Sequence, residues 1–494
     1  MGGLSKKAFQ IQKLKQRYQL PALVVDGGAM LFPKTDIAPP HLPPAKAQAK
    51  GIVAAVSKMH YSAAGVAPLD LAAGLDFLQE LRQQTSFSWL SVNLVNAATG
   101  KTPFLPYILH QIGGTTIGII GLTGPLGKNH PPEAARDIKI LPWVETLPKI
   151  IEGVRDQADM VILLSSYPEN VNRVIAERFP DIHLIIEAGG KAANKPPTPI
   201  NNTLLCRTGE RGKYLGMLRI NWRKSGKWGE DVRGRLKELK NNLDRIQWLL
   251  GRLEKEKAGE DLSKNKRHRT LLREKEEMEG EIQRLQSTID HENTRGPSSY
   301  DNEFIALETS MPDDPEIRAI VLNTRRTVNE LNRRALKEES AKLHNRQPEK
   351  DRLPGRPGLS SLGGWKSCAK CHPAQTAFWR QTPHARAYQT LEEEDQQFKP
   401  DCLWCHVTLP SYESGSFTDN TLRMIRMKPE LQSVGCETCH GPGKKHNKNP
   451  REVPLSMPHK RLCLSCHTGE HDDNFQFKTD IKKVGCPVNH AKDG

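Results

Sequence analysis

One five-residue pattern occurs four times: Cys368-Ala-Lys-Cys371-His372, Cys402-Leu-Trp-Cys405-His406, Cys436-Glu-Thr-Cys439-His440 and Cys463-Leu-Ser-Cys466-His467. These copies take eight of the ten cysteines. A bare C-x-x-C ligates zinc or exchanges disulfides. The histidine fixed behind each second cysteine separates the readings. In C-x-x-C-H both sulfurs form thioethers to haem vinyl groups, and the histidine is placed to coordinate the iron from one face. The pattern therefore predicts four covalent c-type haems, with His372, His406, His440 and His467 as proximal ligands. It also constrains the fold. Four haems on the last 130 residues leave little protein for an ordinary core, so porphyrins become the apolar filling and short helices and loops wrap around them.

The stretches "CAKCHPAQTAFWRQTPHARAYQTL", "DCLWCHV", "VGCETCHGPGKKH" and "RLCLSCH" resemble the tetrahaem cytochrome c-554 type and related multihaem cytochromes. The resemblance implies haems within electron-tunnelling contact, mostly with histidine on both axial faces. In the type member one haem lacks a sixth protein ligand. Distal candidates here are His384, His446, His459, His471 and His490. His384 and His446 stand inside the matched motifs. His446 follows the turn Gly441-Pro442-Gly443, and its six residues beyond His440 cannot easily carry the chain around a porphyrin edge. It is expected on a neighbouring iron, and His384, twelve residues after His372, likewise.

Covalent haem attachment takes place outside the cytoplasm, which implies a periplasmic, cell-envelope or extracellular protein. The start "MGGLSKKAFQ" has no apolar signal core, and no apolar run of 18 residues exists for a membrane span. The N-terminus is accordingly expected to be incomplete. Net charge is +15. Residues 365–494 hold 18 Lys+Arg against 15 Asp+Glu, so most of the excess precedes the haem motifs. It is spread without an aromatic-rich motif, which reads as a solvated surface and not as a nucleic-acid site. Cys206 and Cys486 are left over, either as a disulfide or as buried thiols.

Residues 1–222 alternate buried-strand runs ("PALVVDGGAMLF", "GTTIGIIGLTG", "ADMVILLSS", "DIHLIIEAGG") with helical spacing ("GLDFLQELRQQT", "ENVNRVIAERFP"). That order predicts an α/β layered domain. Together with "GGLSKKAFQIQKLK", "WLSVNLVNAATGKTPFLPYILHQIGGTTIGIIGLTG" and "GERGKYLGMLRINW", these segments resemble the 5′-nucleotidase/UDP-sugar hydrolase branch of the calcineurin-like metallophosphatases. That family holds two metals through Asp, His and Asn. Here its bridging aspartate falls on Ala29 and its Asn-His-Asp/Glu motif on Gly65-Val66-Ala67-Pro68. Its strand-end histidine falls on Ser166, and its paired histidines on Lys191 and Ala193. Asp26 and Asn93 survive, too few to hold a divalent pair. Asp26 reads as a turn residue. The expectation is a retained frame with a dead centre.

Residues 223–346 carry heptad seams: Val232, Leu236, Leu239, Leu243, Ile246, Leu250, Leu253, then Met278, Ile282, Leu285, Ile289. They predict a helical hairpin around "AGEDLSKNKRHRT". Ile317, Val321, Thr324, Val328 and Leu331 predict a third helix packed on the hairpin or on a neighbour. Residues 347–364 are a Pro/Gly/Ser-rich linker, and 365–494 the haem domain. The whole reads as a multidomain electron-transfer protein with redox partners among other cytochromes or a quinol-linked membrane complex. The alternatives are a multihaem reductase of a small nitrogen or sulfur compound at a five-coordinate haem, or a phosphohydrolase with a haem module.

Overall fold

The computed structural model describes residues 3–127, 130, 136–188, 193–209, 212–223, 225–229, 232–256, 262, 265–290, 297–344, 361–408, 428–468, 471–472 and 474–487. Lys191, His490 and residues 347–360 of the expected linker lie outside them. The chain divides into two compact units: Met1–Asp36 with Ile52–Ile317, and Ile37–Gly51 with Arg318–Gly494.

In the first unit, helix α1 (Leu4–Tyr18) leads to strand β1 (Val25–Asp26). Helix α2 (Leu42–Lys58) straddles the division. Then come β2 (Ala63–Gly65), α3 (Leu75–Arg82), β3 (Ser88–Leu90) and β4 (Leu94–Asn96). They are followed by β5 (Tyr107–Ile112), β6 (Thr115–Leu122), β7 (Ile138–Ile140), α4 (Trp143–Arg155), β8 (Met160–Ser165) and α5 (Glu169–Arg178). β9 (Leu184–Glu187), β10 (Lys195–Ile200) and β11 (Thr203–Arg207) complete a mixed six-stranded sheet. Its order is β10-β11-β9-β8-β6-β5, with the central strands parallel. β1, β2 and β3 form a parallel three-stranded sheet.

β8 shows why the apolar runs read as they do. Its alternate residues Val161 and Leu163 face a core with Leu147, Ile151 and Val154 of α4 and Ile175 of α5. Met160, Ile162 and Leu164 face a second core with Ala63 and Leu90 from the smaller sheet. A strand covered on both faces has no polar side, so its run is continuous. The expected layered α/β architecture is present.

β12 (Tyr214–Asn221) pairs antiparallel with β13 (Ser299–Ala306). Between them stand α6 (Val232–Glu256) and α7 (Lys266–Asp290), so the hairpin is an insertion in a β-ribbon. Ile246, Leu250 and Leu271 are buried in it against Leu249 and Met278. The third stripe lies on α8 (Pro315–His344), which also straddles the division. Within the second unit α8 engages the segment before the second motif. Arg325 pairs with Glu394 and Arg326 with Asp395. Asn329 bonds Gln397 and the Phe398 amide.

The second unit continues with α9 (Trp365–Cys368), α10 (Pro373–Trp379), α11 (Ala387–Glu393), α12 (Pro400–His406), α13 (Cys436–His440), α14 (Lys460–Cys463) and α15 (Phe477–Val484). Its apolar core is small, with Leu362, Leu391, Leu403, Val407 and Leu431 at the centre. The region is mainly helical, as expected.

Candidate haem centres

Each C-x-x-C-H motif occupies one helical turn. α12 contains Cys402, Cys405 and His406, and α13 runs from Cys436 to His440. In the first and fourth motifs the helix ends at the first cysteine, but the turn closes: the amides of His372 and His467 donate to the carbonyls of Cys368 and Cys463 at 2.9 Å. Residues i, i+3 and i+4 share one face of a helix. The spacing thus presents two thiols and an imidazole side by side, the donor set a covalent haem takes. Motifs meet in pairs: the Cys368 thiol lies beside that of Cys436, and the Cys405 thiol beside that of Cys466. All ten cysteines are free. Cys486 is exposed, and burial pushes the Cys206 thiol up to about 12.

The imidazoles are oriented by their inner nitrogens. Nδ1 of His406 donates to the Ala387 carbonyl at 2.6 Å and Nδ1 of His440 to that of Ser456 at 2.9 Å. Nδ1 of His446 donates to the Val453 carbonyl at 2.8 Å, and Nδ1 of His467 bonds the Asp472 carboxylate at 2.8 Å. A proton fixed on Nδ1 leaves the Nε2 lone pair for a metal. His459 is placed differently. Its Nδ1 accepts the Leu462 amide and caps α14, which puts the ring proton on Nε2. His471 is exposed, with Nδ1 on Thr468.

Two imidazole pairs come together across motifs. His372 and His446 have ring centroids 6.4 Å apart and an interplanar angle of 20°. His384 and His467 are 6.1 Å apart. A metal–imidazole bond is about 2 Å, so two imidazoles on opposite faces of one iron put their centroids roughly 6 Å apart. The residues present fit haem on this count. His446 lies against His372 and not His440, and His384 against His467. Burial and His467 hold His384 below its usual range, in the neutral form a ligand needs.

Glu437, inside the third motif, went unremarked in the sequence. It is 2% exposed and accepts the amides of Gly363 (2.9 Å), Gly364 (2.8 Å) and Gly443 (2.7 Å). It ties α13 to the entry of the first motif and to the turn before His446.

The model of the family Cytochrome c554 and c-prime matches residues 367–441. Cytochrome c-554 of Nitrosomonas europaea is 34% identical, the match covering 26% of this chain and 75% of that protein. The chain belongs to the cytochrome c-554 family. As a member of the cytochrome c-554 family it carries covalent c-type haem in its C-terminal region and belongs, in general terms, to multihaem electron transfer.

Among solved structures, the chain is similar to a sulfate thiohydrolase from Thermus thermophilus (TM-score 0.40, 21% identity, 45% of this chain and 40% of that one). It is similar to a 5′-nucleotidase precursor from the same organism (0.37, 19%, 46% and 47%). A calcineurin-like phosphoesterase from Bacillus subtilis gives 0.43 at 14% identity, over 67% of this chain and 90% of that one. The chain spans less than half the length of the first two.

At the strand ends of the first unit, the positions of the expected lost centre are taken up by local bonding. Ala29 has φ 63°, and its amide donates to Asp70. Asp26 accepts the Gly28 amide at 3.0 Å, the turn role expected of it. Asn93 is buried with its amide group spent: Nδ2 donates to the carbonyls of Thr123 and Leu141, and Oδ1 accepts the Thr123 amide. Ser166 Oγ accepts the Gly124 amide. Ala193 is exposed. The loops themselves touch: a Cβ on Gly28 would lie 2.7 Å from the Gly65 carbonyl oxygen, and one on Gly65 2.6 Å from that of Gly27.

Proposed function

We propose that this chain moves electrons outside the cytoplasm through four c-type haems. Cys368/Cys371, Cys402/Cys405, Cys436/Cys439 and Cys463/Cys466 attach them, and His372, His406, His440 and His467 are the proximal ligands. His446 supplies the second imidazole opposite His372, and His384 the one opposite His467. The observation that carries this reading is the pair of cross-motif imidazole separations, 6.4 and 6.1 Å. Bound haem supplies one-electron iron chemistry, tuned by axial ligands, burial and nearby charge. The chain's own part is to fix the imidazoles of His406, His440, His446 and His467 through Nδ1 and to leave their Nε2 unprotonated. The α/β unit serves as a scaffold without hydrolytic activity. Its support is that Asn93, Asp26 and Ser166 each hydrogen-bond backbone partners. Other cytochromes or a quinol-linked complex are the redox partners.

The test is intact mass with a pyridine haemochrome assay on protein matured in a haem-attaching host. Four haem adducts are expected; no adduct, or zinc, overturns the reading. His446→Ala should convert one low-spin haem to a high-spin or water-ligated form and leave the others unchanged by electron paramagnetic resonance. An unchanged low-spin spectrum would remove His446 from the ligand set. A high-spin signal in the unaltered protein would favour a reductase with an open iron.

A further inference from the structure

The stretch behind the third motif differs in charge from the rest of its region. Residues 444–461 hold six Lys/Arg against the single Glu452, whereas the remainder of 365–494 holds 12 basic and 14 acidic residues. Lys445, Lys448, Arg451 and Lys460 are exposed, and Met457 is 73% exposed among them in sequence. Backbone bonds wind the stretch into successive turns. The amides of Lys448 and Asn449 donate to the Lys445 carbonyl, and that of Val453 to Asn449. Compact turns keep the cations close together, so their potentials add.

The same stretch orients two imidazoles. The carbonyls of Val453 and Ser456 accept from His446 and His440, and the Ser456 amide donates back to the His440 carbonyl. Met457 is the next residue. A solvent-exposed basic stretch that also exposes Met457 therefore lies one peptide away from the backbone that positions the ligands.

We propose that residues 444–461 are the docking surface for an acidic redox protein, which exchanges electrons with the centre at Cys436–His440. This rests on the haem reading above. Each encounter moves one electron: the partner is oxidised and this chain reduced, or the reverse, and no atom is transferred. Opposite charge raises the encounter rate, and the exposed Met457 side chain offers an apolar contact from which water is expelled. The link to axial imidazoles favours a redox protein over an anionic lipid surface, which would gain nothing from it.

The experiment compares K448E/R451E with K478E/K482E, an equal charge reversal on α15, in the haem-loaded protein. Reduction is followed by stopped flow with flavodoxin hydroquinone as the acidic protein donor and methyl viologen radical cation as the small one. At low ionic strength K448E/R451E should slow the flavodoxin reaction about tenfold, with the loss shrinking at high salt. Its viologen rate and low-spin spectrum should hold, and K478E/K482E should react as the unaltered protein does. Equal slowing by both pairs means a general charge effect and overturns the proposal. So does an unchanged flavodoxin rate, including the case in which K448E/R451E only loses binding to phosphatidylserine vesicles. A haemochrome assay showing no haem overturns the haem reading and this one with it; full haem with unchanged rates overturns the docking surface alone.

Discussion

Four backbone amides converge on Asp70. Its carboxylate accepts from Ala29, Met30, Leu31 and Ala67 at 2.8–3.0 Å, and the side chain is fully buried. Burial pushes the carboxyl up to about 6, against the pull of those amides. The loop at residues 29–31 and the turn at Ala67 are thus held by one acid that the sequence did not single out. Asp70→Asn turns one oxygen into a donor facing donors, and should cost about 2–3 kcal/mol. Chemical denaturation of the variant checks this; a loss under half that would assign the loops to other contacts. His183 gives a pH dependence. Burial holds it down to about 4, and its Nδ1 accepts the Val161 amide at 2.9 Å. A lowered folded value means proton uptake on unfolding. Its contribution is full above about pH 6.5 and is lost as pH falls toward 4, on the order of 3 kcal/mol. His183→Asn keeps an acceptor for Val161 without the titration, so its unfolding midpoint should vary less between pH 6.5 and 4 than that of the unaltered protein.

At the level of elements, α2 and α8 meet with no room to spare. A Cβ on Gly51 would lie 2.1 Å from Oγ1 and 2.4 Å from Cγ2 of Thr324. Helix propensity alone predicts that Gly51→Ala stabilises by about 1 kcal/mol. The crowding predicts the opposite sign, a loss of about 1–3 kcal/mol, with recovery in the double variant Gly51→Ala/Thr324→Ala. A double-mutant cycle in thermal unfolding reads the coupling; additive effects would mean that the helices move apart freely. Thr324 belongs to the third stripe, whose period was readable in the sequence. Its packing partner was not, because a 3.6-residue period says that a face is covered and leaves open by what. The hairpin seam of α6 and α7 carried its own partner, since two seams joined by a short polar break have only each other nearby. The short helices of the haem region had no stripe to read. Their order comes from motif turns, caps and carboxylates such as Glu437.

For the molecule as a whole, the α/β unit is expected to be without hydrolytic activity. Assays of nucleotide and sugar-nucleotide hydrolysis with added manganese, cobalt or zinc should give no chelator-sensitive turnover. Two-metal catalysis needs ions held about 3.5–4 Å apart by several anionic or imidazole ligands. Ala29, Ser166 and Ala193 offer no carboxylate or imidazole, and Asn93 is spent on Thr123 and Leu141. Turnover that survives purification and vanishes with chelator would show that the strand ends still assemble a metal pair.

The sequence by itself determined the four C-x-x-C-H turns, because residues at i, i+3 and i+4 share one face of a helical turn. It determined the α/β layering, because strands buried on both faces must be apolar throughout. It also determined that Ala29, Ser166 and Ala193 bring no carboxylate or imidazole to the strand ends, since a side chain absent from the sequence is absent from the fold. Only the tertiary structure decided the rest. It set His446 against His372 and His384 against His467, and gave His459 to a helix cap. It placed Asp70 where four amides meet and inserted the hairpin in the ribbon of β12 and β13. These depend on distances between residues far apart in the chain. Such distances are fixed by the packing of whole elements, and no local spacing encodes them.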